Sequence, residues 1–458
     1  MEDMKNGKRS SFSGKLGYVL AAAGASVGLG NIWRFPYLAA KYGGGIFLII
    51  YIVLALTFGY TMIVAETAIG RMTRKSPVGA FKSFGKKKWL SFGGWINAVI
   101  PVLIVPYYSV IGGWVIKYLV EYFRGNAKLL AEDGYFTDFI SNGVSTELCF
   151  VAFCAFTLII IFAGVQNGIE RVSKIMMPIL IVLSVIIAVY SVTRPGALAG
   201  VKYFIVPNVK NFSWMTVVSA MGQMFYSLSI AMGILITFGS YMKKDTAIED
   251  STRNVEIFDT GIAIMAGLMI IPAVFAFSGG DPDTLQAGPS LMFITIPKVF
   301  QNMGFGTVIG IVFFLLVLFA AVTSSIALTE SAVSTFEDEL GWGRKKATVL
   351  VGVIMLALGS LSSLGYGPLA GIKIIGMQFL DLFDFLTNSV MMPIAALLTS
   401  LLVSRVVGID KIEEEIIHGE SAFRRKKVFV VMIKYLCPVF AIIILLSSVA
   451  NALGWIKM

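Results

Sequence analysis

The stretch Ala23-Gly24-Ala25-Ser26-Val27-Gly28-Leu29-Gly30-Asn31-Ile32-Trp33-Arg34-Phe35-Pro36 interrupts an apolar run that begins near Leu16. Three glycines, a serine, an asparagine and an arginine loosen a helix there and free its backbone groups. Free carbonyl oxygens suit a hard cation, together with hydroxyl, amide and carboxylate oxygens. Unpaired amides at the start of a following half-helix offer donors and a positive dipole end, which suit an anion. In hydrocarbon such backbone is tolerated only where it lines a buried cavity. A second stretch of the same character is Gln223-Met224-Phe225-Tyr226-Ser227-Leu228-Ser229-Ile230-Ala231-Met232-Gly233.

The elements that carry these breaks are membrane spans. The chain has 458 residues, of which 57% are apolar and 14% charged, and its mean hydropathy is +0.82. A soluble domain carries roughly 25% charge. Runs of roughly 20 apolar residues recur near 16–40, 45–71, 90–122, 147–165, 172–193, 213–242, 255–279, 304–337, 346–364, 376–405 and 428–454. The reading is a polytopic all-α membrane protein with one transmembrane domain over 1–458 and a cytoplasmic segment over 1–15. The breaks open the first and sixth spans. Five spans over 16–193 and five over 213–405 therefore predict an inverted repeat, with an eleventh span at 428–454 outside it. Broken helices in corresponding positions of two halves point to a secondary transporter; kinks filled by neighbouring helices are the alternative.

The net charge of +10 does not indicate nucleic acid. Basic residues gather in alternate loops: Lys5 to Lys15, Arg71 to Lys88, Arg171 and Lys174, Lys243 and Lys244, Arg344 to Lys346, and Arg424 to Lys427. That asymmetry places the N-terminus in the cytoplasm and, with an odd number of spans, the C-terminus outside. Cys149, Cys154 and Cys437 lie in or beside spans and form no disulfide framework. His418 is the one histidine, which excludes a histidine-based metal site. No cleavable signal peptide is expected. The segments from Arg194 to Phe212 and around Ser278 to Asp283 read as loops, with a partial helix from Pro289 to Phe300.

Several motifs occur in order: GASVGLGNIWRFPY in the first span, GGG at 43–45, YYSVIGGW in the third, GIERVSKIMMP between the fourth and fifth, GQMFYSLSIAMG in the sixth and VTSSIALTE in the eighth. In these the chain resembles the neurotransmitter:sodium symporters, in particular bacterial hydrophobic amino-acid transporters with eleven spans. The likeness runs from Arg9 to about Pro438. It implies the leucine-transporter fold, two bound sodium ions, a central amino-acid site, a bacterial inner-membrane location and a monomer or weak homodimer, with membrane lipid and a small-molecule amino acid as partners, no nucleic acid and no enzymatic activity.

The resemblance assigns residues as follows. The substrate would be held by Ser26, Gly28, Leu29, Gly30, Ile104, Tyr108, Tyr226, Ser227, Ser229, Met232, Ser324 and Leu328. Its carboxylate would meet the amides of Leu29 and Gly30 and the Tyr108 hydroxyl, although the Tyr107-Tyr108 pair can also serve packing. Glycine at position 28, where amine transporters carry aspartate, favours an amino acid. Ile104, Tyr226, Ser229, Met232 and Leu328 would line a pocket for a hydrophobic or aromatic side chain. The first sodium would sit among Ser26, Asn31, Ser227, Asp259 and the substrate carboxylate. Asp259 stands where the leucine transporter has asparagine; a carboxylate in a span is costly and usually functional, whereas a helix-end aspartate is the plain alternative. The second sodium would take carbonyls of Gly24, Val27 and Ala320 and hydroxyls of Thr323 and Ser324, a run that can otherwise serve helix-helix contact.

Tyr51, Gln223 and Ser227 match the chloride ligands of chloride-dependent relatives, but the remaining serine position is Ala263. The expectation is chloride independence, with the Asp259 charge in the anion's place. Arg34 with Asp384 would form an outer gate, with Asp381 as rival, and Arg9 with Asp338 an inner one flanked by Phe12 and Tyr241. Glu66 would cap amides of the broken first span. Gly168 and Pro178 match a motif that would let the fifth span unwind; a plain kink is the alternative. The competing function is an amino-acid sensor on the same scaffold that binds without transporting.

Overall fold

The computed structural model describes residues 9–279, 288–452 and 455. The first span is two helices, Lys15–Ser26 and Gly30–Lys41, bent by 54° at the break. Val27 ends the first helix in an extended conformation, its amide bonded to Ala23 O at 2.7 Å. Single helices follow at Gly45–Thr73, Lys88–Phe123, Gly143–Phe162, Val165–Val192, Ile248–Ser278, Gly306–Leu340, Arg344–Leu364, Phe379–Val407 and Lys426–Asn451. All are apolar enough to cross a membrane. These are spans two to five and seven to eleven. The sixth span divides into Trp214–Ser227 and Ile234–Tyr241. A capping box from Ser213 and Thr216 starts it.

Between the two halves of the sixth span, Ser229 (φ 51°), Ala231 (φ 59°) and Gly233 (φ 71°) alternate into the left-handed region. That conformation is unfavourable for residues with a Cβ, so something must hold it. Ser229 donates to Ala25 O at 2.9 Å, and the Ala231 amide donates to the Glu66 carboxylate at 2.7 Å. Glu66 thus caps the sixth span and not the first, because the second span runs along the second half of the sixth.

The first span packs against the fifth, seventh and eighth, the eighth lies along the third, and the second half of the sixth runs against the second. Polar groups of both breaks are therefore buried at the centre. The Arg194–Phe212 segment is not a plain loop. It contains a helix, Ala197–Ile205, whose buried face is Ala197, Gly200 and Phe204 at i, i+3 and i+7. Gly200 is needed there: a Cβ would lie 2.8 Å from Pro272 Cα of the seventh span. The partial helix expected at 289–300 occupies Leu291–Gln301. The expected loop through Gly280 to Asp283 falls outside the described residues.

Candidate functional site

The two breaks, the third span and the eighth enclose a cavity of about 30 Å³. Ser26, Gly28, Leu29, Gly30, Ile104, Tyr108, Tyr226, Ser229, Met232, Ser324 and Leu328 line it, with Ala25 and Asn31. Of the expected substrate residues, Ser227 alone is not on its wall. Its polar end is the first break. The Leu29 amide reaches the Tyr108 hydroxyl at 3.3 Å and the Gly28 amide reaches Asn31 Oδ1 at 3.1 Å. Gly28 is required for room, since a Cβ would sit 2.7 Å from Ser324 Oγ and 3.0 Å from the Tyr108 oxygen. The opposite walls are the side chains of Ile104, Met232, Leu328 and the Tyr226 ring.

Beside the cavity, Asn31, Ser227, Asp259 and Tyr51 form one cluster. Asn31 Nδ2 donates to Asp259 Oδ1 at 2.8 Å and to Ser227 Oγ at 2.9 Å. Tyr51 donates to Asp259 Oδ2 at 3.0 Å, and Ser227 Oγ lies 2.9 Å from Asp259 Oδ1. Asp259 is fully buried. Its partners are all neutral, and among the described residues no cationic side chain reaches it. An uncompensated buried carboxylate is strongly unfavourable, so the donor set fits a cation. Ser26 borders this cluster, with its hydroxyl turned to Ala22 O at 3.1 Å.

On the other flank, Ser324 Oγ lies 3.2 Å from Gly24 O, 3.2 Å from Ala25 O and 3.3 Å from Val27 O. Ser229 already serves Ala25 O, and the single Ser324 proton cannot satisfy both Gly24 O and Val27 O. Thr323 Oγ1 is 3.2 Å from Ala320 O. Gly24, Val27, Ala320, Thr323 and Ser324 are thus gathered as an all-oxygen set, which also suits a hard cation. Ala25 was not among the expected residues; its carbonyl takes part through backbone alone, which its side chain does not advertise. Gln223 donates to Gly30 O at 3.0 Å and Tyr51 joins the Asp259 cluster.

Tyr226 closes the cavity on one side. Beyond it opens a wider cavity of about 540 Å³ bordered by Arg34, Tyr107, Asp381 and Asp384. Arg34 does not pair with Asp384. Its guanidinium lies over the Tyr226 ring at 5.3 Å, while Asp384 accepts from Tyr107 at 3.2 Å and Asn388 at 2.5 Å. Asp381 takes a long contact from Tyr366 at 3.5 Å. The expected pair is therefore open, with both charges facing the same cavity. The opposite end is shut. Arg9 pairs with Asp338 and donates to Ser240 at 3.1 Å and Ser334 at 2.7 Å. Arg9 also lies 5.1 Å from the Tyr241 ring, and Phe12 packs on Tyr18, Phe238 and Tyr241. Gly168 sits in the irregular first turns of the fifth span, with Pro178 inside the helix that follows.

Comparison with known proteins agrees with this architecture. The model of the sodium:neurotransmitter symporter family matches residues 9–137 and 134–455. An uncharacterized sodium-dependent transporter of Bacillus subtilis is 34% identical over 97% of this chain and 99% of its own length. The human sodium- and chloride-dependent GABA transporter 2 is 26% identical over 89% of this chain and 75% of its own. The crystal structure of MhsT in complex with L-phenylalanine superimposes with a TM-score of 0.86 at 34% identity, covering 96% of this chain and 100% of that one. The fold is thus the leucine-transporter fold, in a multi-pass membrane transporter that is not an enzyme and uses sodium. The chain belongs to the sodium:neurotransmitter symporter family.

Proposed function

We propose that the chain couples sodium entry to uptake of a hydrophobic or aromatic L-amino acid by alternating access, without chloride. The carrying observation is the central cavity: backbone amides of the first break and the Tyr108 hydroxyl at one end, apolar side chains at the other, and an oxygen cluster on each flank. The carboxylate of an amino acid fits the first end and its side chain the second. The phenylalanine in the MhsT complex is a ligand of that type. One sodium would sit at Asn31, Ser227, Asp259 and the Ser26 carbonyl, completed by the substrate carboxylate, so each ligand favours the other. A second would sit at Gly24, Val27, Ala320, Thr323 and Ser324. Asp259 supplies a fixed negative charge, which removes the need for chloride.

With the Arg9 end cytoplasmic and the Tyr226 side outside, the chain is closed inward. Substrate would enter past Tyr226; Arg34 and Asp384 would then draw together over it. Release inward needs the Arg9–Asp338 pair to part, and the irregular backbone at Gly168 to Pro178 would admit water to the second sodium. The repeats 16–193 and 213–405 would move against each other, with the eleventh span outside both. The driving force is adequate. A sodium ion moving down ~100 mV gains roughly 2.3 kcal/mol, and a tenfold gradient adds about 1.4 kcal/mol. Two ions supply roughly 7 kcal/mol, enough for about a 10⁵-fold concentration ratio. The test is equilibrium binding of labelled leucine, tyrosine and tryptophan in sodium or potassium, with chloride or gluconate. Sodium-dependent, chloride-indifferent binding supports the reading; binding that vanishes in gluconate refutes its chloride clause.

A further inference from the structure

Four cations of spans ten and eleven, at the Arg9 end of the molecule, form no ion pair among the described residues; Arg424 alone has an acid, Asp250, acting on it. Arg405 lies in the last turns of the tenth span, Arg424 and Lys427 flank the start of the eleventh, and Lys434 lies inside it. All four side chains are exposed. Their neighbours are satisfied: Arg425 pairs with Glu256 at 3.2 Å and Lys426 with Glu413 at 2.5 Å. Asp410 and Glu414 on the adjoining helix, Ile409–Ile417, are exposed as well, and neither reaches a cation within ion-pair distance.

Lys434 is the informative one. A rise of 1.5 Å per residue puts it about 12 Å beyond Lys426 along the span. Lys427, Val431 and Lys434 follow one another at i, i+4 and i+7, so they share a face. Val431 and Tyr435 beside it are 51% and 65% exposed, which makes this a lipid-facing surface. The Arg405 segment, Leu402–Val407, packs directly on the Lys434 segment, Met432–Leu436. A charge on a lipid-facing helix must be paired or reach an interface, and among the described residues no acid reaches it within ion-pair distance.

We propose that this face of spans ten and eleven binds the headgroup phosphate of an anionic phospholipid from the leaflet at the Arg9 end. Arg405 and Lys434 hold the phosphate, Lys427 and Arg424 extend the positive field, and the acyl chains lie along Val431 and Val439. A zwitterionic lipid brings its own ammonium to the same cations and is disfavoured. Basic surface of this kind attracts anionic lipid by about fivefold per cation.

The test is native mass spectrometry of the full chain titrated with phosphatidylglycerol or phosphatidylcholine. Phosphatidylglycerol should be retained in preference. Lys434→Gln and Arg405→Gln should each weaken it about fivefold, and the double variant about thirtyfold. Lys86→Gln with Lys87→Gln, exposed cations elsewhere at the same end, should leave retention unchanged. Equimolar inorganic phosphate should not displace the lipid. Equal retention of the two lipids by the wild type would overturn the proposal, as would a double variant that keeps phosphatidylglycerol, an equal loss in the Lys86 and Lys87 variant, or displacement by inorganic phosphate. Helical content and gel-filtration profile of each variant separate loss of lipid from loss of fold.

Discussion

Gly28→Ala is a one-carbon test of how the central cavity is built. The added Cβ would lie 2.7 Å from Ser324 Oγ and 3.0 Å from the Tyr108 oxygen. Ordinary contacts of a Cβ begin near 3.4 Å, so at least one neighbour must retreat. Ser324 cannot retreat freely, because it faces Gly24 O, Ala25 O and Val27 O at 3.2 to 3.3 Å. Tyr108 can move only by lengthening its 3.3 Å contact to the Leu29 amide. Either movement spoils the end of the cavity assigned to the carboxylate. Overpacking of this kind costs about 1–3 kcal/mol, and falling on the bound state it predicts about a 5- to 150-fold loss of substrate affinity. Gly24→Ala is the internal comparison: its Cβ would meet Thr323 Cβ at 3.1 Å, a milder contact that bears on sodium and less on substrate. The assay is sodium-dependent binding of labelled amino acid to purified protein, with helical content as the folding control. A well-folded Gly28→Ala protein of unchanged affinity would refute the cavity argument.

Asp259→Asn removes the buried charge while keeping its shape. It should raise the sodium concentration for half-maximal binding about tenfold, equivalent to about 1.4 kcal/mol, and added chloride should recover part of it; a sodium titration with and without chloride decides. Tyr226→Phe should keep affinity within about twofold, because the ring that carries the Arg34 contact remains, whereas Tyr226→Ala joins the two cavities and should speed ligand dissociation about tenfold or more, as read by washout kinetics. Asp338→Asn should loosen the Arg9 end, measured as faster labelling of a cysteine placed beneath the cavity. Glu415→Ala leaves Arg71, whose side chain is 0% exposed, without its carboxylate; loss of one partner of a buried pair costs about 3–5 kcal/mol and should appear as a large fall in thermal stability with substrate specificity intact.

Legibility differed by the kind of group involved. The first break could be read because glycine, serine and asparagine are unusual inside a span. Asp259, Ser227 and Asn31 stood out for the same reason. Ala25 did not, since a carbonyl contribution leaves no mark on residue type. Glu66 was recognisable as a cap, but sequence does not say which of two breaks a passing helix will reach. The helix Ala197–Ile205 was hidden by Pro195, Gly196 and Gly200, residues that usually signal a loop; here Gly200 marks a close helix crossing on Pro272. The Arg34–Asp384 expectation identified two charges that do face one cavity. Shared residue type and depth do not fix contact, and here the Tyr226 ring takes Arg34 instead.

The central claim is that sodium entry drives concentrative uptake. Its most direct measurement is uptake of labelled leucine, tyrosine and tryptophan into proteoliposomes with an inward sodium gradient, against a potassium control. The account predicts sodium-dependent accumulation above the equilibrium level that collapses when the gradient is dissipated. Saturable sodium-dependent binding with no accumulation of any of the three would contradict it and favour a sensor on the same scaffold.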